Sequence, residues 1–249
     1  MKTTNSTVLI TGGSAGIGFE IAKLFAAKGN HVIITGRDEQ RLQKAAAQLP
    51  GATAISFDVT KASQVEQLVK RLQKDFPALD VVVNNAGNAY LYNLAEEGVG
   101  AYDKAAAEIE TNYLSVIRLN EALLPLLKQQ SEAAIVTVSS IVAFAPGISL
   151  PTYAASKAAL HAYSRVLRIT LERAHPAVKV FELMPPLVDT EFSKEIGGHN
   201  GIPPQQVAQE LLDGLESNTY EIHVGGTADM YKLYLSSPEA AIQALNAGR

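Results

Sequence analysis

Residues 7–18 read Thr7-Val8-Leu9-Ile10-Thr11-Gly12-Gly13-Ser14-Ala15-Gly16-Ile17-Gly18, and the order of residue types in this stretch decides the fold. Val8, Leu9 and Ile10 form a nearly continuous apolar run, the pattern of a strand buried on both faces. Glycines follow at once, and helical spacing starts within them, with Ile17, Ile21, Leu24 and Phe25 on one face. A tight strand-to-helix turn needs φ angles or a close backbone approach that a Cβ obstructs. The helix N-terminus then offers unpaired N–H groups to an anion such as a pyrophosphate. A glycine turn used only for packing is the plainer alternative, and the strand before it and helix after it argue for the nucleotide site. The turn by itself names no reaction.

Outward from this unit, Val- and Ile-rich runs recur at 7–11, 31–35, 53–57, 80–84, 133–138, 177–183 and 220–224. Between them lie amphipathic segments such as Val65, Leu68, Val69 and Leu72. Alternating strand and helix predicts an α/β fold of the Rossmann, doubly wound type: a mainly parallel seven-stranded sheet with helices on both faces, joined by right-handed crossovers. No repeat, low-complexity tract or linker divides the chain, so 1–249 is expected to form a single domain. Segments 103–130 and 152–174 are long enough for helices of several turns, and Pro176 stops the second. Pro185, Pro186, Gly197, Gly198, Gly201, Pro203 and Pro204 punctuate the least regular stretch, expected to be a substrate loop at about 189–205.

Composition narrows the function classes. With 47% hydrophobic and 18% charged residues the chain has ample material for a layered core. A net charge of −4 gives no basic footprint for nucleic acid or an anionic membrane, which leaves small molecules as partners. The absence of cysteine excludes disulfides and thiolate chemistry. The polar start Met1–Ser6, and apolar runs far short of the ~20 residues that span a bilayer, point to the cytoplasm and to no membrane anchor. The five histidines show no metal-ligand spacing, so no metal is expected.

The spacing of Gly12, Gly16 and Gly18 after Thr11 departs from the commonest dinucleotide fingerprint. Thr-Gly-x-x-x-Gly-x-Gly resembles the short-chain dehydrogenase/reductase family, and the likeness runs along essentially the whole chain. Residues 7–30, 81–87, 140–157 and 184–190 are similar to its DltE-like branch, which implies no settled substrate. The resemblance implies NADP or NAD as cofactor, with Thr11, Gly12, Ser14, Ala15, Gly16, Ile17 and Gly18 forming the binding turn. At the end of the second strand Gly36 cannot accept from a ribose 2′-hydroxyl, whereas Arg37 has the geometry to pair with a 2′-phosphate, favouring NADP(H). The alternative is a solvated Arg37 with Asp38 reaching the ribose. In the family an acid after the third strand contacts adenine, a place matched by Asp58 beside Val59; a helix cap is its other reading. Asn85, Ala86 and Gly87 match the signature along the adenosine side, where a buried Asn85 must have its amide satisfied.

Tyr153 and Lys157 lie four residues apart, on one face of a helix. A phenol with an ordinary pKa of ~10 exchanges a proton near neutrality only if a cation favours its phenolate, and Lys157 is spaced to do so. Such pairs are common on surface helices, and the wider pattern is what argues for catalysis. Ser140, thirteen residues upstream of Tyr153, resembles the family's catalytic serine, with a role in holding the substrate oxygen. Strand alternation points its neighbour Ser139 the other way. Asn112 matches the family's Asn, which opens its helix and binds a water linking Lys157 to solvent; a lone helical Asn is otherwise a solvated or back-bonding residue. Pro185, Val188 and Thr190 match the stretch beside the nicotinamide, although Pro186 stands where the family has Gly and removes a backbone donor. Tyr90, Tyr92, Ile141, Val142, Leu187 and Phe192 are candidates for an apolar substrate pocket, with core packing as the competing explanation.

These readings combine into an expected oxidoreductase that transfers a hydride between NADP(H) or NAD(H) and a carbonyl or alcohol, Tyr153 being the general acid/base. A catalytically silent nucleotide-binding sensor with the same fold is the rival. The resemblance also implies a homodimer or homotetramer paired through helices 103–130 and 152–174.

Overall fold

Strands β1 (Thr7–Thr11), β2 (His31–Gly36), β3 (Thr53–Ser56), β4 (Leu79–Asn84), β5 (Ala133–Val138), β6 (Val178–Met184) and β7 (Glu221–His223) fall within a residue or two of the apolar runs. In the computed structural model, which describes residues 1–248, they form one parallel sheet in the order β3-β2-β1-β4-β5-β6-β7. Alternation along the strands divides the core into two layers. Val8, Ile10, Val81, Val83 and Val136 face α1 (Gly16–Ala27), α2 (Glu39–Ala46) and α7 (Pro204–Ser217), while Leu9, Ile33, Val82 and Ile135 face α3 (Ala62–Asp75) and α5 (Ser115–Leu127). These side chains are fully buried, each contributing roughly 1.5–3 kcal/mol of transfer free energy.

The strand order reverses between β1 and β4, so the crevice beyond their carboxyl ends is where this topology places a ligand. A third apolar cluster lies beyond those ends. It joins Ile141, Val142, Phe144 and Met184 to α6 (Pro151–Ala174), α8 (Thr227–Ser236) and α9 (Pro238–Asn246).

Two expectations need revision. The single helix over 103–130 is instead α4 (Ala101–Ile109), a π-helical turn at Glu110–Leu114, and α5. An inserted π turn widens the helix locally without erasing its apolar face, a device common at functional sites. The loop at 189–205 is also more ordered than its Gly/Pro content suggests. Val188 bridges to Ile202, Asp189 N donates to Ile202 O at 2.9 Å, and Ile202 N donates to Leu187 O at 3.0 Å, pinning the base of the loop. Among the described residues no helix is long and apolar enough to cross a membrane.

Candidate active site

The glycine turn is built around an amide. Asn85 Nδ2 donates to Thr11 O (2.9 Å) and Gly12 O (3.2 Å), while Thr11 Oγ1 accepts from the backbone N–H groups of Asn85 and Ala86, each at 3.0 Å. A Cβ on Gly18 would stand 2.4 Å from Asn85 Nδ2 and 2.5 Å from Gly12 O, so glycine there is what lets the turn close on the end of β4. Gly12 itself has φ +66°, which a side chain would strain. Thr11 lies buried beneath the turn, where it holds the turn's shape. No side chain caps α1 at Ala15, so the N–H groups of its first turn, reached past Ser14, Gly16 and Ile17, face an open cradle suited to a pyrophosphate. Thr190 leans across that cradle, its Cγ2 3.2 Å from where a Gly16 Cβ would lie.

At the outer edge the two readings of β2's end separate. Asp38 is the N-cap of α2, accepting from Arg41 N at 2.9 Å, so its carboxylate is engaged with backbone. Arg37 is exposed beside it. Asp58 is no helix cap, since α3 starts after Lys61; its Oδ1 instead accepts from Thr60 N (2.9 Å) and Thr60 Oγ1 (2.8 Å). Burial pushes the Asp58 carboxyl up, but the two Thr60 donors, with Arg37 and Lys61 nearby, hold it below its usual value. Val59 follows, half-buried.

On α6, Tyr153 and Lys157 are both buried, and Lys157 Nζ lies 5.5 Å from the centre of the Tyr153 ring. Lys157 Nζ donates to Val138 O at 2.7 Å. Ser139 N still pairs with Leu183 O, and its hydroxyl is buried, whereas Ser140 opens a 3-10 turn, its hydroxyl accepting from Val142 N at 3.3 Å. The electrostatics of the phenol differ in sign from the expectation. Burial pushes Tyr153 well above its ordinary value and the carboxylate of Glu108 pushes it further, with the Ser140 hydrogen bond pulling back. Burial likewise drives Lys157 down to about 8, against the pull of Glu182.

Asn112 occupies the π turn, and its amide is fully engaged. Nδ2 donates to Asn88 O (2.7 Å) and Ser156 Oγ (2.9 Å), and Oδ1 accepts from Asn88 N (2.7 Å). Ser156 Oγ donates in turn to Tyr153 O at 2.7 Å, so Asn112 steadies the helix turn that carries the tyrosine. Gly87 borders the same spot: a Cβ there would lie 3.4 Å from Asn112 Oδ1 and 4.0 Å from Lys157 Nζ.

The substrate side is apolar. Tyr153 packs with Ile141, Val142 and Met184, and the half-exposed Phe192 ring lies 6.1 Å from the Tyr153 ring. Tyr90, Tyr92 and Leu187 stand outside this cluster: Tyr92 hydrogen-bonds Thr152, and Tyr90 N donates to Glu108. Pro185 O accepts from Ile141 N at 3.0 Å, Val188 is buried, and the Thr190 hydroxyl shares a hydrogen bond of 3.1 Å with Ser193 in a capping box.

Sequence reasoning missed two buried acids at this wall. Glu108 on α4 is 0% exposed, and Glu182 on β6, 2% exposed, holds His161 Nδ1 at 2.8 Å. Their signals were an acid four residues before Asn112 and an acid inside an otherwise apolar strand.

With this geometry in place, comparison with known proteins is informative. The profile of the short chain dehydrogenase family matches residues 6–201. The chain is 43% identical over 227 residues to the uncharacterized oxidoreductase DltE of Bacillus subtilis (strain 168), covering 89% of each chain. A short chain dehydrogenase from Burkholderia cenocepacia J2315, solved in complex with NADP, superposes with a TM-score of 0.86 at 25% identity and covers 100% of both chains. A short chain dehydrogenase/reductase from Burkholderia phymatum, solved with NAD, also gives 0.86, at 19% identity over 100% of this chain and 98% of that one, a likeness of fold.

Proposed function

The chain belongs to the short chain dehydrogenase family, and from that premise we propose that it is an NADP(H)-dependent oxidoreductase, NAD(H) being the alternative, acting on a carbonyl or alcohol. The observation that carries this reading is the convergence of Tyr153, Ser140 and Lys157, buried on the substrate side of the uncapped α1 cradle. The turn Thr11–Gly18, with Arg37, Asp58, Val59, Asn85, Ala86, Gly87, Pro185, Val188 and Thr190, would hold the dinucleotide. When bound, the nicotinamide supplies or accepts the hydride.

The chain's own groups handle the oxygen and the proton. Ser140 orients the substrate oxygen, and the Tyr153 hydroxyl gives it a proton in reduction or takes one in oxidation. Lys157, held on Val138 O, brings positive charge beneath that hydroxyl and reaches the ribose. Asn112 fixes the helix turn through Ser156. Ile141, Val142 and Phe192 exclude water from the reacting centre and favour an apolar substrate. The segment 189–205, anchored by the Val188–Ile202 bridge, serves as the substrate loop of this one domain.

The choice of NADP(H) rests on Gly36, on exposed Arg37, and on Asp38 being occupied as a cap; the Burkholderia cenocepacia relative bound to NADP agrees with it. Oxidation of NADPH and NADH against a panel of aldehydes, ketones and quinones tests the reading. Tyr153→Phe should remove turnover by about three orders of magnitude or more while cofactor affinity stays within a few-fold, the general acid being lost and the cradle untouched. Unchanged turnover in that variant overturns the assignment. We also assign the chain a cytoplasmic location and a homo-oligomeric state, the assembly supported by Leu114, Val166 and Ile169, exposed on the α5 and α6 side. Light scattering at micromolar concentration that gives a monomer refutes the assembly.

A further inference from the structure

Two stretches of the chain flank the candidate site without a charged residue or a histidine: 81–95, running from β4 into the loop after it, and 133–156, running from β5 into the second turn of α6. Both lead to the apolar cluster that holds Tyr153. Ala89 packs against that cluster from the first stretch, Leu150 belongs to it in the second, and Ile196 packs against it from the segment after β6. Beyond these inner contacts each segment leaves a large apolar side chain in solvent: Leu91 at 43% exposure, Ile148 at 59% and Phe192 at 55%. One such residue on a surface needs no explanation. Three of them, from three segments that meet around a single phenol, form an apolar lip to the site.

The lip is fastened at the backbone. Tyr92 N donates to Ser149 O at 3.2 Å, which joins the loop of Leu91 to the turn of Ile148, and Tyr92 Oη meets Thr152 Oγ1 at 2.6 Å, one residue before the phenol. Phe192 closes the third side, its ring 6.1 Å from that of Tyr153. The turn that carries Ile148 is held from outside the region matched by the family profile, residues 6–201. Asn246 on α9 accepts from Ile148 N at 2.8 Å through Oδ1 and donates to Pro146 O at 3.0 Å through Nδ2. A fixed backbone beneath exposed apolar side chains suits a ligand surface, because little further ordering is needed on binding. Lys104 on α4 brings no free charge to it, being bound to Val99 O and lying over the Tyr92 ring. The charged residues of the third segment, Asp189, Glu191 and Lys194, line a hollow of their own with Thr190, on the side where Thr190 leans over the cofactor cradle.

We propose that the substrate is an aldehyde or ketone with an extended apolar chain that carries no charged group, that this chain lies across Leu91, Ile148 and Phe192 while the carbonyl reaches Tyr153, and that Asn246 is the positioning residue for the Ile148 side of the lip. The inference rests on the oxidoreductase reading above and adds a substrate class to it. Methylenes laid on the lip lose water from one face, so each contributes about half the free energy of a fully enclosed CH₂, or about twofold in affinity. Contact so far from the reacting carbon is equal in ground and transition states, so it acts on KM and leaves kcat alone. A carboxylate carried on the same chain finds no cation on the lip and loses the gain.

NADPH oxidation with straight-chain aldehydes from butanal to decanal reads this directly. In the parent protein kcat/KM should rise about twofold per methylene, at least about tenfold over the series, through KM. In the double variant Leu91→Ser/Ile148→Ser the rise should flatten, with butanal turnover and the KM for NADPH unchanged. Asn246→Ala should raise the KM for decanal about fivefold with its kcat unaltered, the Ile148 turn being no longer held. A kcat/KM that stays flat from butanal to decanal in the parent overturns the substrate class and leaves the oxidoreductase reading standing. An undiminished rise in the double variant overturns the lip; if light scattering also shows a changed mass for that variant, the lip is a contact between copies of the chain. An unaltered decanal KM in Asn246→Ala refutes the role of Asn246. If the parent protein reduces no aldehyde, the oxidoreductase reading falls, and calorimetry of 1-decanol and 1-butanol with NADP⁺ present decides the lip: tighter binding of the longer alcohol, lost in the double variant, upholds it, and equal binding refutes it.

Discussion

At the nucleotide-facing edge, Arg37 stands in solvent, Asp38 caps α2 through a backbone N–H three residues away, and Asp58 closes a turn on Thr60 two residues away. In the wall formed by α4, α6 and β6, Glu108, Lys157 and Glu182 are 0%, 4% and 2% exposed, and their partners come from 18 to 44 residues away. The edge holds its charges by local chain geometry and water; the wall holds them by tertiary structure alone. A charge removed at the edge leaves the fold as it was, whereas one removed from the wall strands its partners in a medium that cannot solvate them. Within the wall the two acids also differ. Glu182 meets a histidine and pulls on Lys157, while Glu108 meets only neutral donors and acts on the phenol.

The strongest test of that contrast is Glu182→Ala. It leaves His161 Nδ1 buried without its acceptor and Lys157 without the carboxylate that favours its charge. Removing one member of such a buried charged cluster typically destabilises by about 3–5 kcal/mol, which urea unfolding would register as a lowered midpoint. A loss below about 1 kcal/mol, the range of exposed pairs, would erase the distinction between wall and edge.

Lys157 gives the next effect, read through pH. Its folded value, about 8, lies below the 10.5 of a free lysine because burial disfavours the ammonium. Between those values the unfolded chain holds a proton that the folded chain has shed, so stability rises with pH across the window, by about 3 kcal/mol at roughly 1.4 kcal/mol per unit. Below pH 8 both states are protonated, and this dependence vanishes. Tyr153 acts with the opposite sign: its raised folded value makes stability fall where unfolded tyrosines ionise, above about pH 10. Chemical denaturation between pH 8 and 10 should therefore show a rise that Lys157→Met lacks, and identical slopes in the two proteins would show that the ammonium is not desolvated.

The same division governs what could be read from residues alone. The glycine turn, the strand runs and the Tyr153–Lys157 spacing are local patterns, and the structure places them where such patterns put them. Asn112 was visible only through family likeness, and the π turn that carries it was not visible at all, because Leu119, Leu123 and Leu127 keep their apolar face with or without one extra residue per turn upstream. Helical spacing puts a cation beside Tyr153 but says nothing of the complete burial of the phenol, the larger cause of its raised value, or of an acid arriving from α4, which adds to it. The loop at 189–205 looked irregular because its order comes from the Val188–Ile202 bridge and a Thr190–Ser193 capping box, neither of which leaves a periodic trace.

The edge itself offers the mildest and most selective change. A Cβ on Gly36 would meet Ser14 Oγ at 3.5 Å and Leu42 Cδ1 at 3.6 Å, ordinary contacts, so Gly36→Asp introduces an acid without strain. Placed at the end of β2, that carboxylate should accept from a ribose 2′-hydroxyl and repel a 2′-phosphate. Arg37→Ala removes the opposing cation, and a charge-assisted hydrogen bond of about 1.5–3 kcal/mol makes the expected loss in kcat/KM for NADPH tenfold or more. In the double variant the preference should pass to NADH, with unfolding free energy changed by no more than about 0.5 kcal/mol, as for surface substitutions generally. Preference and stability must move independently for the edge to be what it is: a site where charge is displayed to a ligand and takes no part in holding the chain together. A variant that kept its NADPH preference would return the 2′-position to some other residue, and one that lost several kcal/mol would place Arg37 among the wall's structural charges.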